Sequence, residues 1–135
     1  MSLKFNIIQG KTSLRRSLGS VLYQILPSKI KNKPVIIGLH FVNEDEIKNL
    51  NNQYRFQNSS TDVLSFPLDL DLQKNHSEID FGDIFICKNI AQKQSHSIHY
   101  LIVHGFLHLL GLKHESQKEY AWWERKEEKL IKLII

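Results

Sequence analysis

The chain has few of the features that mark disulfide-rich, membrane-spanning or secreted proteins. Only one of its 135 residues is cysteine and only three are proline. A single cysteine, Cys87, cannot form an internal disulfide, which favours a reducing environment such as the cytoplasm. No apolar run approaches the length that spans a bilayer, and the first residues carry no secretory pattern. We therefore expect a cytoplasmic protein that does not enter a membrane.

The composition is that of an ordinary globular domain with a small excess of positive charge. Hydrophobic residues make up 41% of the chain and charged residues 24%. This length suits one hydrophobic core, and no repeat or linker divides the sequence, so residues 1–135 are predicted to form a single domain. The formal net charge is +4 and the isoelectric point is about 9.2. This charge is compatible with an anionic partner such as RNA, but alone it does not identify one.

Three of the seven histidines lie in one short segment, His104-Gly-Phe-Leu-His108-Leu-Leu-Gly111-Leu-Lys-His114. The apolar residues around the first two predict a helix over Ile98–Leu110, which places His104 and His108 one turn apart on the same face. Glycine readily adopts the left-handed conformation that ends helices, so a turn at Gly111 can bring His114 back towards them. Three imidazoles with one position open for water are typical of catalytic zinc, whereas structural zinc sites are closed by four ligands.

This segment therefore predicts a metal-dependent hydrolytic site with His104, His108 and His114 as the ligands of one zinc ion. The simpler alternative is two histidines in a buried core and a third in a loop. The apolar surroundings disfavour that alternative, because a buried imidazole needs a partner for its polar nitrogens.

The histidine spacing is also that of the zinc peptidase signature H-E-x-x-H-x-x-G-x-x-H. Those enzymes use the glutamate after the first histidine as the general base. Here that position is Gly105, which can neither accept a proton nor polarise water. Chemistry other than peptide hydrolysis is expected, and a divergent zinc peptidase with another carboxylate as its base is the alternative.

The remaining pattern predicts four strands and four helices in one α+β structure. The expected strands are Lys4–Ile8, Val35–Val42, Asp62–Pro67 and Asp80–Cys87. The expected helices run from Thr12 or Ser13 to Leu26, from Glu44 to Tyr54, over Ile98–Leu110, and from Ser116 to Ile134. Asn43 and Glu46 form a capping-box pattern before the second helix. The apolar face of the last helix carries Tyr120, Trp123, Leu130 and Ile134, with Glu124, Arg125, Glu128, Lys129 and Lys132 towards water.

The histidine segment resembles the H-G-x-L-H-L-x-G-Y-D-H signature of the bacterial YbeY endoribonucleases. Three upstream segments are similar to that family as well: Asn51-Asn-Gln-Tyr-Arg55, Thr61-Asp-Val-Leu-Ser-Phe-Pro67, and Gly82-Asp-Ile84. The resemblance implies a zincin-like α+β fold with a mixed sheet of about four strands, one bound zinc ion and single-strand-specific hydrolysis of RNA. It further implies a role in maturing the 3′ end of the small-subunit ribosomal RNA and in ribosome quality control.

By the same resemblance, His104, His108 and His114 match the zinc ligands, His114 lies in the catalytic centre, and Arg55 matches an arginine tied to activity. The implied partners are ribosomal RNA, proteins of the small ribosomal subunit and a ribosome-assembly GTPase. Leu112 and Lys113 depart from the family pattern, in which tyrosine and aspartate are usual. A carboxylate beside a ligand can orient it through a hydrogen bond, and we expect Asp83 or Glu115 to take that role here.

Arg55 suits a phosphodiester substrate for a physical reason. Transfer at phosphorus builds negative charge on the non-bridging oxygens, and arginine is the side chain best matched to that charge. Arg55 follows a predicted helix, in a loop from which it could reach the metal; otherwise it is a surface arginine. A third hypothesis is a ribosome-binding assembly factor whose zinc is structural. Whether water or the RNA 2′-hydroxyl attacks stays open.

Overall fold

The computed structural model describes residues 3–7, 35–73, 75–110, 121, 124–125 and 127–129. The helix predicted between residues 12 and 26 lies outside these residues. Within the described part, no helix is long and apolar enough to cross a membrane.

The described strands, and the helices that begin at Glu44 and Ile98, lie within one residue of their predicted bounds, whereas the helix Lys88–Lys93 was not among the predicted helices. The strands are β1 (Leu3–Ile7), β2 (Val35–Phe41), β3 (Val63–Pro67) and β4 (Ile79–Ile86). The helices are α1 (Glu44–Arg55), α2 (Lys88–Lys93) and α3 (Ile98–Leu109), with a short 3₁₀ turn at Asp71–Gln73. The predicted α+β class, with a mixed sheet packed against helices, is confirmed.

The sheet has the strand order β1-β2-β4-β3. The pairs β1–β2 and β2–β4 are parallel, while β3 pairs antiparallel with β4. Strand β3 therefore lies at one end of this order, and it ends at Pro67, a residue that edge strands tolerate because it lacks a ladder N–H. Helix α3 packs against β3 and β4, so it covers this end of the sheet.

Strand β4 contains an irregularity at Gly82 that explains part of the sequence there. Gly82 has a φ of 113°, and a Cβ atom on it would lie 2.1 Å from the carbonyl oxygen of Phe66. The pairing with β2 shifts at the same place, where Ile36 pairs with Asp80 but Gly38 pairs with Asp83. Strand β4 thus has one extra residue here, as in a β-bulge, and only glycine fits this conformation beside β3.

The main core lies between α3 and the sheet. Helix α3 buries residues on nearly every side, and its interior members are Leu101, Ile102, Val103, Gly105, Phe106, Leu107 and Leu109. Phe106 meets Phe81 of β4 edge to face, with the ring centroids 5.7 Å apart. The apolar character predicted for this helix is confirmed, and after its first turn His104 and His108 are the half-buried exceptions up to Leu109.

Helix α1 begins and ends at recognisable caps. The Asn43 side chain accepts a hydrogen bond from the Glu46 amide at 2.8 Å, and the Glu46 side chain accepts one from the Asn43 amide at 3.4 Å. The predicted capping box is confirmed. At the other end Phe56 adopts a left-handed conformation with a φ of 57°, which stops the helix directly after Arg55. Arg55 is therefore the last residue of α1.

Candidate metal centre and active-site cavity

The Nε2 atoms of His104 and His108 lie close together. The two histidines lie four residues apart on α3, and their Nε2 atoms are 3.1 Å from each other. A tetrahedral zinc ion holds imidazole nitrogens at about 2.0–2.1 Å, which sets two such nitrogens roughly 3.3 Å apart. The observed separation is close to that value. The residues present therefore fit a metal ion bound by both Nε2 atoms.

The predicted third ligand, His114, and the predicted turn at Gly111 lie outside the described residues, so that part of the prediction stays a prediction. Among the residues that the structure describes, no group of three or more histidines, cysteines or carboxylates could hold a metal ion. The described residues therefore supply two candidate ligands, and the third is predicted to lie outside them. His114 is our candidate because it follows α3 by only a few residues.

A buried carboxylate contacts the other ring nitrogen of His104. Both carboxylate oxygens of Glu127 lie 3.4 Å from His104 Nδ1. Glu127 is only 8% exposed, in contrast to its exposed helical neighbours Glu128 and Lys129. Glu127 was not among the predicted site residues, although its position in the predicted helix indicates that it is buried. It lies four residues after Trp123 and three before Leu130, on the face predicted to be apolar.

The carboxylate expected beside the metal ligands was Asp83 or Glu115. Asp83 instead contacts His40 of β2, with 2.8 Å between Asp83 Oδ1 and His40 Nε2. The structure thus shows a different partner for Asp83, within the sheet, and a contact between Asp83 and His114 lies outside the described residues. Glu115 lies outside the described residues.

Gly105 allows α3 to approach the sheet closely. Its carbonyl oxygen accepts a hydrogen bond from Ser65 Oγ at 3.3 Å. A Cβ atom at this position would lie 2.9 Å from Ile84 Cγ2 and 3.0 Å from Ser65 Oγ. The position that carries the base in the peptidase signature thus faces β3 and β4 with no space for a side chain. This geometry argues against the peptidase alternative.

Arg55 shares one cavity with the two histidines. The cavity has a volume of about 610 Å³. Its lining comes from the end of α1, from the segment around β3 and from α3: Tyr54, Arg55, Thr61, Asp62, Val63, Ser65, Phe66, Pro67, His104 and His108. The structure therefore brings together three of the four predicted site residues, and the fourth, His114, is not described.

A row of rings at helical spacing runs along α3 towards the candidate metal centre. His96, which precedes the helix, pairs with the buried Asp62 at 2.5 Å between Nδ1 and Oδ2. Ring centroids are 5.1 Å apart for His96 and Tyr100, and 5.7 Å apart for Tyr100 and His104. The His104 ring is thus packed against Tyr100 on one side while its Nδ1 faces Glu127. These contacts restrict the orientation of the imidazole.

Comparisons with known proteins point to one family along nearly the whole chain. Residues 4–134 match the family model described as endoribonuclease YbeY. The chain is 38% identical to the endoribonuclease YbeY of Buchnera aphidicola subsp. Schizaphis graminum over 132 residues, which is 92% of this chain and 78% of that protein. It is 32% identical to the endoribonuclease YbeY of Ruthia magnifica over 137 residues, covering 96% and 92%. The solution structure of TM1509 from Thermotoga maritima is similar with a TM-score of 0.57 and 30% identity, covering 98% of this chain and 88% of that one.

Substitution of Gly105 by alanine tests the close approach of α3. We expect Gly105→Ala to lower the free energy of unfolding by about 1–3 kcal/mol, because overpacking a rigid core outweighs the gain in helix propensity of about 1 kcal/mol. Urea denaturation measures the change. The same substitution in a Ser65→Ala background should cost less, since one of the two short contacts is gone. A stabilised single variant would contradict the predicted steric limit.

Proposed function

The chain belongs to the YbeY endoribonuclease family, and on that premise we propose that it is a zinc-dependent endoribonuclease that hydrolyses phosphodiester bonds in RNA. The observation that carries the proposal is the single cavity lined by His104, His108 and Arg55. In this cavity two candidate metal ligands lie beside Arg55, whose permanent positive charge can bind phosphate oxygens. The fold is proposed to be zincin-like, with the metal centre on α3 and the turn that follows it.

In this proposal His104, His108 and His114 hold one zinc ion. The zinc ion supplies Lewis acidity at neutral pH, where it polarises water and phosphoryl oxygens. The protein supplies the fixed geometry around it. The imidazoles of His104 and His108 are held on one buried helix, so their nitrogens converge without a loop having to reorganise.

Arg55 is proposed to bind the phosphoryl oxygens of the RNA at the bond that is cut. Its guanidinium is always charged and offers a planar fork of donors that matches two phosphate oxygens. Negative charge on these oxygens increases in the transition state, so the interaction strengthens as the reaction proceeds. Phe56, in the left-handed conformation, ends α1 directly after Arg55. Arg55 therefore reaches the cavity from the C-terminal end of α1.

Tyr54 supports a preference for single-stranded RNA. Its side chain lines the same cavity and is 59% exposed. Its ring meets Phe66 edge to face with the centroids 5.3 Å apart, which holds the ring in place while leaving much of its surface open. Unpaired bases stack on such aromatic surfaces, whereas bases inside a duplex have no free face to offer.

The proposed substrate is ribosomal RNA, with action at the 3′ end of the small-subunit RNA and in ribosome quality control. Both roles rest on the family resemblance, as do a cytoplasmic location and partnership with small-subunit proteins and an assembly GTPase. The net charge of +4 supports an RNA partner electrostatically. Because Gly105 leaves no space for the base that zinc peptidases use, RNA is preferred over peptide as substrate.

The His108→Ala variant tests the metal. We expect it to lose both bound zinc and RNA cleavage, because one of two converging nitrogens is removed. Elemental analysis of the purified protein and cleavage of a fluorescent single-stranded oligoribonucleotide, with and without a chelator, measure the two losses. His76→Ala is the matched control, since His76 is exposed in the loop before β4. Full cleavage by the zinc-free variant would refute metal dependence.

The Arg55→Ala variant separates phosphate binding from metal binding. We expect normal zinc content and a fall in kcat of roughly 10²–10³-fold, the usual effect of losing one group that stabilises transition-state charge. Arg55→Lys should recover only part of the activity, because lysine lacks the planar fork. Lys48→Ala, which removes an exposed cation from the same helix, is the control. If Arg55→Ala kept full activity, Arg55 would have no part in the mechanism.

Replacement of Tyr54 tests the preference for single strands. Tyr54→Ala should weaken binding of a single-stranded oligoribonucleotide by about 1–3 kcal/mol, the range measured for one stacked base. Tyr54→Phe keeps the ring and should bind almost as well as the unchanged protein. Fluorescence anisotropy measures both, with a duplex of the same sequence for comparison. Equal losses for the single strand and the duplex would show that Tyr54 does not discriminate between them.

A further inference from the structure

We infer that Glu127 is a positioning residue that orients His104 for metal binding. The inference rests on the proposed function, because it assumes that His104 binds a metal ion through Nε2. It adds Glu127, which follows His104 by 23 residues, to a site otherwise built from α1, β3 and α3.

The contact geometry places the carboxylate on the side of the ring away from the metal position. Both oxygens of Glu127 are equidistant from His104 Nδ1, at 3.4 Å. The opposite nitrogen, Nε2, is the one that faces Nε2 of His108. The two functions of the ring are therefore separated, with one nitrogen towards the carboxylate and the other towards the second histidine.

The burial of Glu127 requires a partner for its charge. The side chain is 10% exposed, and an ionised carboxylate removed from water is costly unless it is paired. Among the described residues its partner is His104 Nδ1, 23 positions earlier in the sequence. Its neighbour Glu128 is exposed on the same helix and carries no such cost. Glu127 is therefore held at a specific place, which a solvated surface glutamate would not be.

This contact selects one tautomer of the imidazole. A carboxylate accepts hydrogen bonds and cannot donate them, so Nδ1 of His104 must carry the hydrogen that points to Glu127. In the neutral ring the lone pair is then on Nε2, the nitrogen aimed at His108. Metal ions bind that lone pair, and a carboxylate behind the ring holds the ring in one orientation.

The test compares Glu127→Gln and Glu127→Ala with the control Glu128→Gln. Competition with a chromophoric chelator measures zinc affinity. We expect Glu127→Ala to bind zinc about 10- to 100-fold more weakly, the usual effect of removing the group behind a ligand. Glu127→Gln keeps the volume and one acceptor oxygen and should lose less. Glu128→Gln should bind zinc as the unchanged protein does.

A second measurement separates positioning from a purely structural role. Long-range ¹H–¹⁵N spectra of the metal-free protein report which nitrogen of His104 carries the hydrogen. We expect the Nδ1–H form in the unchanged protein and a mixture of tautomers in Glu127→Ala. Urea denaturation of the metal-free variants measures the stability that Glu127 contributes by packing alone.

The inference would be overturned if a folded Glu127→Ala variant kept both its zinc affinity and the His104 tautomer of the unchanged protein. A lower stability of that variant would not rescue it. RNA cleavage by the unchanged protein would then still support the proposed function. If the unchanged protein neither binds zinc nor needs it for cleavage, the proposed metal dependence fails and the inference fails with it. The two failures are thus distinguishable.

Discussion

The site depends on how closely α3 approaches the sheet. Gly105 faces β3 and β4, and the Ser65 hydroxyl donates to its carbonyl oxygen at 3.3 Å. This contact, together with the burial of most of the helix, leaves His104 and His108 on the side that borders the cavity. A side chain larger than hydrogen at position 105 would move the helix outwards and both imidazoles with it. Gly105, which stands where the peptidases have their base, therefore also determines how close the two candidate metal ligands lie to the sheet.

The strand order places β3 and the C-terminal end of α1 beside this helix. The antiparallel strand β3 is at the end of the sheet, where α3 packs on it and the C-terminal end of α1 contacts it. Arg55 and Tyr54 are the last residues of α1, so they reach the cavity beside the histidines. The edge contact between Tyr54 and Phe66 ties this end of α1 to β3. The cation, the aromatic ring and the imidazoles come from separate parts of the sequence and have fixed relative positions.

Local features of this arrangement could be predicted from the sequence, and contacts between distant elements could not. The spacing of His104 and His108 is set by one helical turn, and the Asn43 capping box is likewise local. The contact of His104 with Glu127 joins residues 23 positions apart in the sequence, which no single periodicity reveals. The contact of Asp83 with His40 likewise depends on strand pairing across the irregularity at Gly82, which the sequence pattern does not show. The zinc ligands and the role of Arg55 remain predictions for solution experiments.

The distribution of charge in the site is suited to an anionic substrate. Its buried carboxylates each contact an imidazole: Glu127 contacts His104, and Asp62 contacts His96. Because each carboxylate is paired, it repels phosphate less than an unpaired one would. Arg55, by contrast, is exposed and lines the cavity. The charge of Glu127 thus lies behind the candidate ligand His104, whereas the cavity itself is lined by Arg55 and by Asp62, whose carboxylate is paired with His96.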